Sequence, residues 1–239
     1  MAFDETGKLI FHSSVTSRDL LPDFLKGILG EGDLPYESSD YSEDGKVYTL
    51  QQASEGNGIN VVLMGDAFSD RQIADGTYEE VMRTAADAFF SEEPYTSFRN
   101  LFNVYYVTAV SRNEGYVDGG STAFSGYFGS GTHVGGDHNK CMQYAATCPG
   151  MTDPLMNEVL IIVMMNSTTY AGTCYFGTST AYQGDYGRGY GIAYFPIGTS
   201  DEDLASVLHH EAGGHGFAKL LDEYYLSLIH IYEPTRPLY

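Results

Sequence analysis

The run His209-His210-Glu211-Ala212-Gly213-Gly214-His215 sets three imidazoles and a carboxylate close together in the chain. Neutral imidazole nitrogens are zinc ligands, and a glutamate beside a liganding histidine is placed to act as general base on a zinc-activated water. The spacing is unusual. In the common H-E-x-x-H pattern the histidines stand four apart, about 400° around a helix, and share one face. His210 and His215 stand five apart, about 500°, so a regular helix splays them by about 140°. A one-residue π-bulge restores the common face, and Gly213-Gly214 supplies backbone freedom for it. The pair His209 and His215, six apart, also misses a common face, and His209 reads as a packing neighbour.

These residues need a helix to carry them. Ser200-Asp201-Glu202-Asp203 has the form of an N-cap with acids in the first turn, and Leu204, Val207 and Leu208 follow at helical spacing, which predicts an active-site helix over about 201–217. Further back, Asn60-Val61-Val62-Leu63-Met64 reads as a buried strand ending at Gly65-Asp66, where Asp66 either lines a cleft or serves a turn. Val81, Met82, Ala85, Ala88 and Phe89 repeat at helical spacing within 78–90, with Pro94 beyond. Residues 101–110 and 158–165 read as further strands. Residues 190–195 read as a fourth, stopped by Pro196 and therefore a candidate edge strand able to pair with an extended peptide. The stretches 114–152 and 173–190, crowded with Gly, Ser, Thr and Asn, read as long functional loops. His133 and His138 lie in the first of them and are expected to be solvated, with a second metal as the competing reading. Residues 1–52 are polar, with alternation around Leu9-Ile10-Phe11 and Val47-Tyr48-Thr49-Leu50, and read as pieces of a small β region.

Composition bounds the remaining choices. The 239 residues allow one large domain or one domain and part of another, and 43% apolar with 18% charged residues is near the globular norm. Twelve Lys+Arg against 32 Asp+Glu give a net charge of −20, which repels phosphate backbones and argues against nucleic acid as a partner. The longest apolar run, 159–165, is far short of the roughly 20 residues of a transmembrane helix. Met1-Ala2-Phe3-Asp4-Glu5 shows no signal peptide, so the chain is expected to be cytosolic or to lack its true start. Cys141, Cys148 and Cys174 fit either one disulfide plus a free thiol or three thiols. The sequence leaves the oligomeric state open.

His210-Glu211-Ala212-Gly213-Gly214-His215-Gly216-Phe217, followed by Leu221-Asp222-Glu223-Tyr224, resembles the IgA-peptidase family of zinc metallopeptidases. Asn60-Val61-Val62-Leu63-Met64-Gly65-Asp66-Ala67-Phe68, Phe89-Phe90-Ser91-Glu92-Glu93-Pro94-Tyr95 and Phe102-Asn103-Val104-Tyr105 are similar to that family's earlier segments, in the same order. The resemblance covers about residues 55–225. The extra residue between the histidines departs from the family pattern and is similar to the H-E-x-x-G-H signature of the dipeptidyl-peptidase III family.

The resemblance implies an α/β zincin-like metallopeptidase domain over 53–225, with a central mixed β-sheet and an active-site helix, preceded by the partial β region at 1–52. It implies Zn2+ as cofactor, a protein or peptide substrate, and a secreted or cell-surface setting. His210 and His215 would be zinc ligands and Glu211 the general base. Catalytic zinc keeps three protein ligands and one open position; Asp222 is the first choice for the third and Glu223 the second. Tyr224 or Tyr225 would donate a hydrogen bond to the developing oxyanion. Two rivals stand beside an enzyme: a non-catalytic protein- or glycan-binding module that keeps the fold without the metal, and an unrelated carbohydrate-binding protein with its sites in 114–152. Finally, Leu226-Ser227-Leu228-Ile229-His230-Ile231-Tyr232-Glu233-Pro234-Thr235-Arg236 resembles the translation of a sequencing adapter, and 226–239 is expected to be a non-native, poorly packed tail.

Overall fold

Eight residues that read as a buried strand, Ile59–Asp66 (β4), form the middle of the sheet, and all but the first are buried. The computed structural model describes residues 2–3, 9–11, 36–177, 189–198 and 200–222. The expected tail at 226–239 lies outside them. Strand β4 runs parallel to Phe102–Val107 (β5) on one side and to Leu160–Met165 (β8) on the other. Tyr190–Pro196 (β10) continues the parallel set beside β8. Two antiparallel strands close the sheet, Val47–Gln51 (β3) along β5 and Thr173–Gly177 (β9) along β10. The order is β3-β5-β4-β8-β10-β9, a mixed six-stranded sheet. Ala2–Phe3 (β1) and Leu9–Phe11 (β2) form a separate antiparallel pair.

Both faces of this sheet are covered, which is why β4 and β8 are continuous apolar runs rather than alternating ones. Val61 and Leu63 of β4 point to one face, into a cluster with Phe68, Tyr78, Met82, Phe89 and Leu208. Val62 and Met64 point to the other, into a cluster with Phe124, Val134, Cys141 and Tyr194. The first face is covered by the helix Thr77–Phe89 (α2), which follows the short Asp70–Ala74 (α1), and by the helix Asp201–Leu208 (α5). The second is covered by Tyr127–Phe128 (β6), Val134–Gly135 (β7) and His138–Ala145 (α3), with Asp153–Met156 (α4) just before β8.

Several expectations need correction. The segment 190–195 is a strand but not an edge: β10 has neighbours on both sides, and Pro196 is its last residue, where the missing N–H interrupts only the end of the ladder. The edge is β9, inside a stretch read as loop. Likewise 114–152 contains a hairpin and a capped helix, with Asp137 accepting from the Lys140 N–H. Val47–Gln51 belongs to the central sheet, where Tyr48 stacks on Tyr106 at 4.8 Å. Asp66 is fully buried rather than cleft-lining. It accepts hydrogen bonds from Phe124 N–H (2.8 Å), Gly126 N–H (3.0 Å), the Tyr116 hydroxyl (3.0 Å) and the Thr122 hydroxyl (2.8 Å), and so ties the 116–126 segment to the end of β4. Burial pushes its carboxyl upward and these donors pull it back. All three cysteines are unpaired.

Tyr78 joins α2 to the sheet by more than area. Its hydroxyl accepts from the Gly65 N–H (2.6 Å) and donates to the Val107 carbonyl (2.7 Å), two backbone groups that have no water to turn to. Tyr78→Phe is expected to leave both unmet and to destabilise the domain by about 2–4 kcal/mol, read as a lower urea midpoint at unchanged slope. An unchanged midpoint would show that neither group depends on the phenol.

Candidate metal centre

Helix α5 begins as the sequence predicts. The Ser200 hydroxyl oxygen accepts from the Asp203 N–H (3.2 Å) and donates to the Asp203 carboxylate (2.8 Å). Leu204 and Leu208 turn inward against the α2 side of the core. At His209 the hydrogen-bond pattern changes, and His209–Phe217 is a π-helix. The Ala218 N–H reaches the Gly213 carbonyl, five residues back, at 2.9 Å.

That change of period restores the common face. His210 Nε2 and His215 Nε2 stand 3.2 Å apart, with ring centroids 4.7 Å apart. His209 points elsewhere, its Nε2 3.1 Å from the Ser91 hydroxyl and its ring beside Tyr95. The chain then turns back through Lys219, whose φ is +57°, with the Lys219 ammonium donating to the Gly216 carbonyl. The turn brings Asp222 Oδ1 to 3.2 Å from both histidine Nε2 atoms. Among the described residues, His210, His215 and Asp222 are the group of His, Cys, Asp and Glu side chains close enough to share a metal ion. Glu223 and Tyr224 lie outside the described residues.

The donor set fits a small tetrahedral cation. His215 Nδ1 is 2.6 Å from the Leu220 carbonyl, which can only accept, so the proton sits on Nδ1 and the Nε2 lone pair faces the group. In a neutral His215 that lone pair meets the Asp222 oxygen, another acceptor, at 3.2 Å; a cation between them resolves the repulsion. A tetrahedron with bonds of about 2.0–2.1 Å has edges of about 3.3 Å, and the three separations here are each 3.2 Å. With these three as ligands, a tetrahedral ion would keep its fourth position open.

Glu211 points into the same cleft and is 8% exposed. Burial raises its carboxyl above the ordinary range, while His210, His215 and the Cys174 backbone N–H draw it down. A Cβ on Gly172 would come within 2.9 Å of Glu211 Oε1, so the strand lead-in passes this carboxylate only because it carries no side chain there. Cys174 also lines the cleft, but burial pushes its thiol up to about 12, leaving it protonated. The cleft, roughly 810 Å³, lies between the π-helix, the start of β9 and the 130–133 loop.

A mixed α/β sheet with this His/Glu/His/Asp group at its edge defines a hydrolase-type site. The sequence profile of the IgA Peptidase M64 family matches residues 48–237, more than half of the chain, and the chain belongs to that family. Its members are metallopeptidases acting on proteins or peptides. No curated protein matches the chain.

Sequence reasoning passed over several residues that build the site. The Leu220 carbonyl and Gly172 act through backbone geometry, which leaves no signature. Strand β9 did leave one, the alternation of Thr173 and Tyr175 with Cys174 and Phe176, but it was hidden among glycines and serines. His138 is half-buried against Tyr175 (4.4 Å) rather than solvated, and burial lowers its imidazole pKa. The Tyr95 hydroxyl donates to the Gly213 carbonyl (2.8 Å), bracing the π-helix from the segment after α2. Because the Ala218 N–H shares that carbonyl, Tyr95→Phe is expected to destabilise the domain by only about 1 kcal/mol while speeding amide exchange over 213–218. Unchanged exchange there would show that the π-helix holds without the phenol.

Proposed function

We propose that the chain is a zinc-dependent metalloendopeptidase domain, with His210, His215 and Asp222 as zinc ligands and Glu211 as general base. The convergence of two Nε2 atoms and one carboxylate oxygen at 3.2 Å, beside a buried glutamate in an open cleft, carries the reading. Two nitrogens and one oxygen suit zinc, and zinc when bound polarises the scissile carbonyl and acidifies water. Glu211 takes the proton of the attacking water and returns it to the leaving amine. Asp222 is preferred to Glu223 because it already meets both histidines. Tyr224 remains the oxyanion donor that the family resemblance implies.

Cleavage within a chain is favoured by the shape of the cleft. A second hollow of roughly 230 Å³, lined by Tyr170 and Ser206, shares Thr132, Gly172, His210 and Glu211 with the larger one, so the two hollows adjoin at the proposed general base. Among the described lining residues there is no Lys or Arg to grip a terminal carboxylate. The outer edge of β9 offers backbone groups for an extended substrate to pair with.

Elemental analysis is expected to find about one zinc per chain, kept in Glu211→Gln and lost in His215→Ala. Glu211→Gln should lower peptide hydrolysis by about 10²–10⁴-fold. Zinc absent from the wild-type chain, or hydrolysis surviving in Glu211→Gln, would overturn the reading and favour a binding module on the same fold.

A further inference from the structure

His133 is an exposed side chain held more tightly than exposure requires. It stands on the 129–133 loop of the β6–β7 hairpin, which is fastened to the edge strand. The Gly172 N–H donates to the Thr132 carbonyl (3.1 Å) and the Val134 N–H to the Thr173 hydroxyl (3.1 Å). Its ring is 5.8 Å from that of Tyr127, and its Nε2 is 2.9 Å from the Tyr175 hydroxyl. A Cβ on Gly129 would lie 2.7 Å from His133 Nδ1, so the ring has its place only because Gly129 lacks one.

The Tyr175 hydroxyl has one proton and three neighbours, the Val134 carbonyl, His133 Nε2 and the Tyr127 hydroxyl. With that proton on the Val134 carbonyl at 3.0 Å, the oxygen is left to accept a hydrogen carried by His133 Nε2. The Tyr127 hydroxyl lies 3.3 Å from the same oxygen. In the neutral imidazole Nδ1 is then an acceptor. Side-chain freedom is lost here with little apolar burial in return, which is the pattern of a pre-oriented contact rather than of a stabilising one. His133 lines the cleft that holds His210, Glu211 and His215. Because Thr132 already takes the Gly172 N–H, a peptide laid along β9 meets this loop where its pairing with the strand ends.

We propose that His133 is a substrate-binding residue of the cleft, accepting a main-chain N–H of the bound peptide at Nδ1, with Tyr175 as the positioning residue that fixes its tautomer. The inference rests on the peptidase reading above. It is tested in the full chain with zinc, using His133→Ala, His133→Asn and Tyr175→Phe. An asparagine Oδ1 falls near the place of Nδ1 and keeps an acceptor there. His133→Ala is expected to raise KM about five- to tenfold with kcat within twofold and zinc content unchanged. His133→Asn should recover most of the loss, and Tyr175→Phe should show an intermediate rise. In Glu211→Gln, whose peptide complex turns over at least about a hundredfold more slowly, adding His133→Ala should weaken binding of a fluorescent peptide by the same factor. An unchanged KM in His133→Ala, a fall confined to kcat, or no rescue by His133→Asn would overturn the role of His133 while leaving the peptidase standing. A zinc-loaded wild-type chain that neither cleaves nor binds any peptide would overturn the peptidase reading, and this inference with it.

Discussion

His210 and His215 stand five positions apart, and only an i→i+5 hydrogen-bond pattern lets one helix present both imidazoles to one point. The site depends on this switch of period at His209. A π-helix is rarely favoured on its own account, so the surrounding structure must hold it. Tyr95 grips the Gly213 carbonyl from one side. Phe217 is wedged between the rings of Tyr95 and Phe102, at 5.6 and 5.5 Å. At the far side Gly216 lies directly on the backbone of β10, where a Cβ on Gly191 would fall 2.6 Å from the Gly216 carbonyl oxygen. The π-helix therefore packs on β10 glycine to glycine, Gly216 against Gly191.

The rest of the architecture serves to keep that helix still. The parallel strands β4, β8 and β10 are buried on both faces, and each fully buried aliphatic side chain contributes about 1.5–3 kcal/mol. Strand β8, with all six residues buried, is a rigid floor under the π-helix, and its Leu160 packs against Gly216. The cleft opens at the opposite kind of place, the sheet's antiparallel edge, where β9 pairs on one side only among the described residues and the hairpin loop forms the far wall. Support beneath the His210, His215 and Asp222 group and openness at the edge come from the same sheet.

Much of this was legible in the sequence because it is written in local patterns. The apolar runs at β4 and β8, the Ser200 cap and the 3.6-residue spacing within α2 each specify their own element. The five-residue interval between the histidines, taken with Gly213-Gly214, was enough to expect a π-bulge. What could not be read depends on approach in three dimensions. Pro196 suggested an edge strand because proline is disfavoured inside a sheet, yet at the last position of β10 it disturbs little. Asp66 gave no sign that four donors from 116–126 would converge on it. His133, 77 positions before His210 in the chain, joined the same cleft only through the fold. The turn that carries Asp222 back to the histidines pivots at Lys219, a residue type that gives no sign of a left-handed backbone.

The central claim is that one π-helix and the turn after it supply the three protein ligands of a single zinc ion. Zinc-edge X-ray absorption on the loaded chain addresses it without reference to activity. Two imidazole scattering patterns with a nitrogen and oxygen shell at about 2.0–2.1 Å are expected, with one imidazole pattern lost in His215→Ala. A single imidazole in the wild-type chain, or a sulfur shell at about 2.3 Å from Cys174, would contradict it.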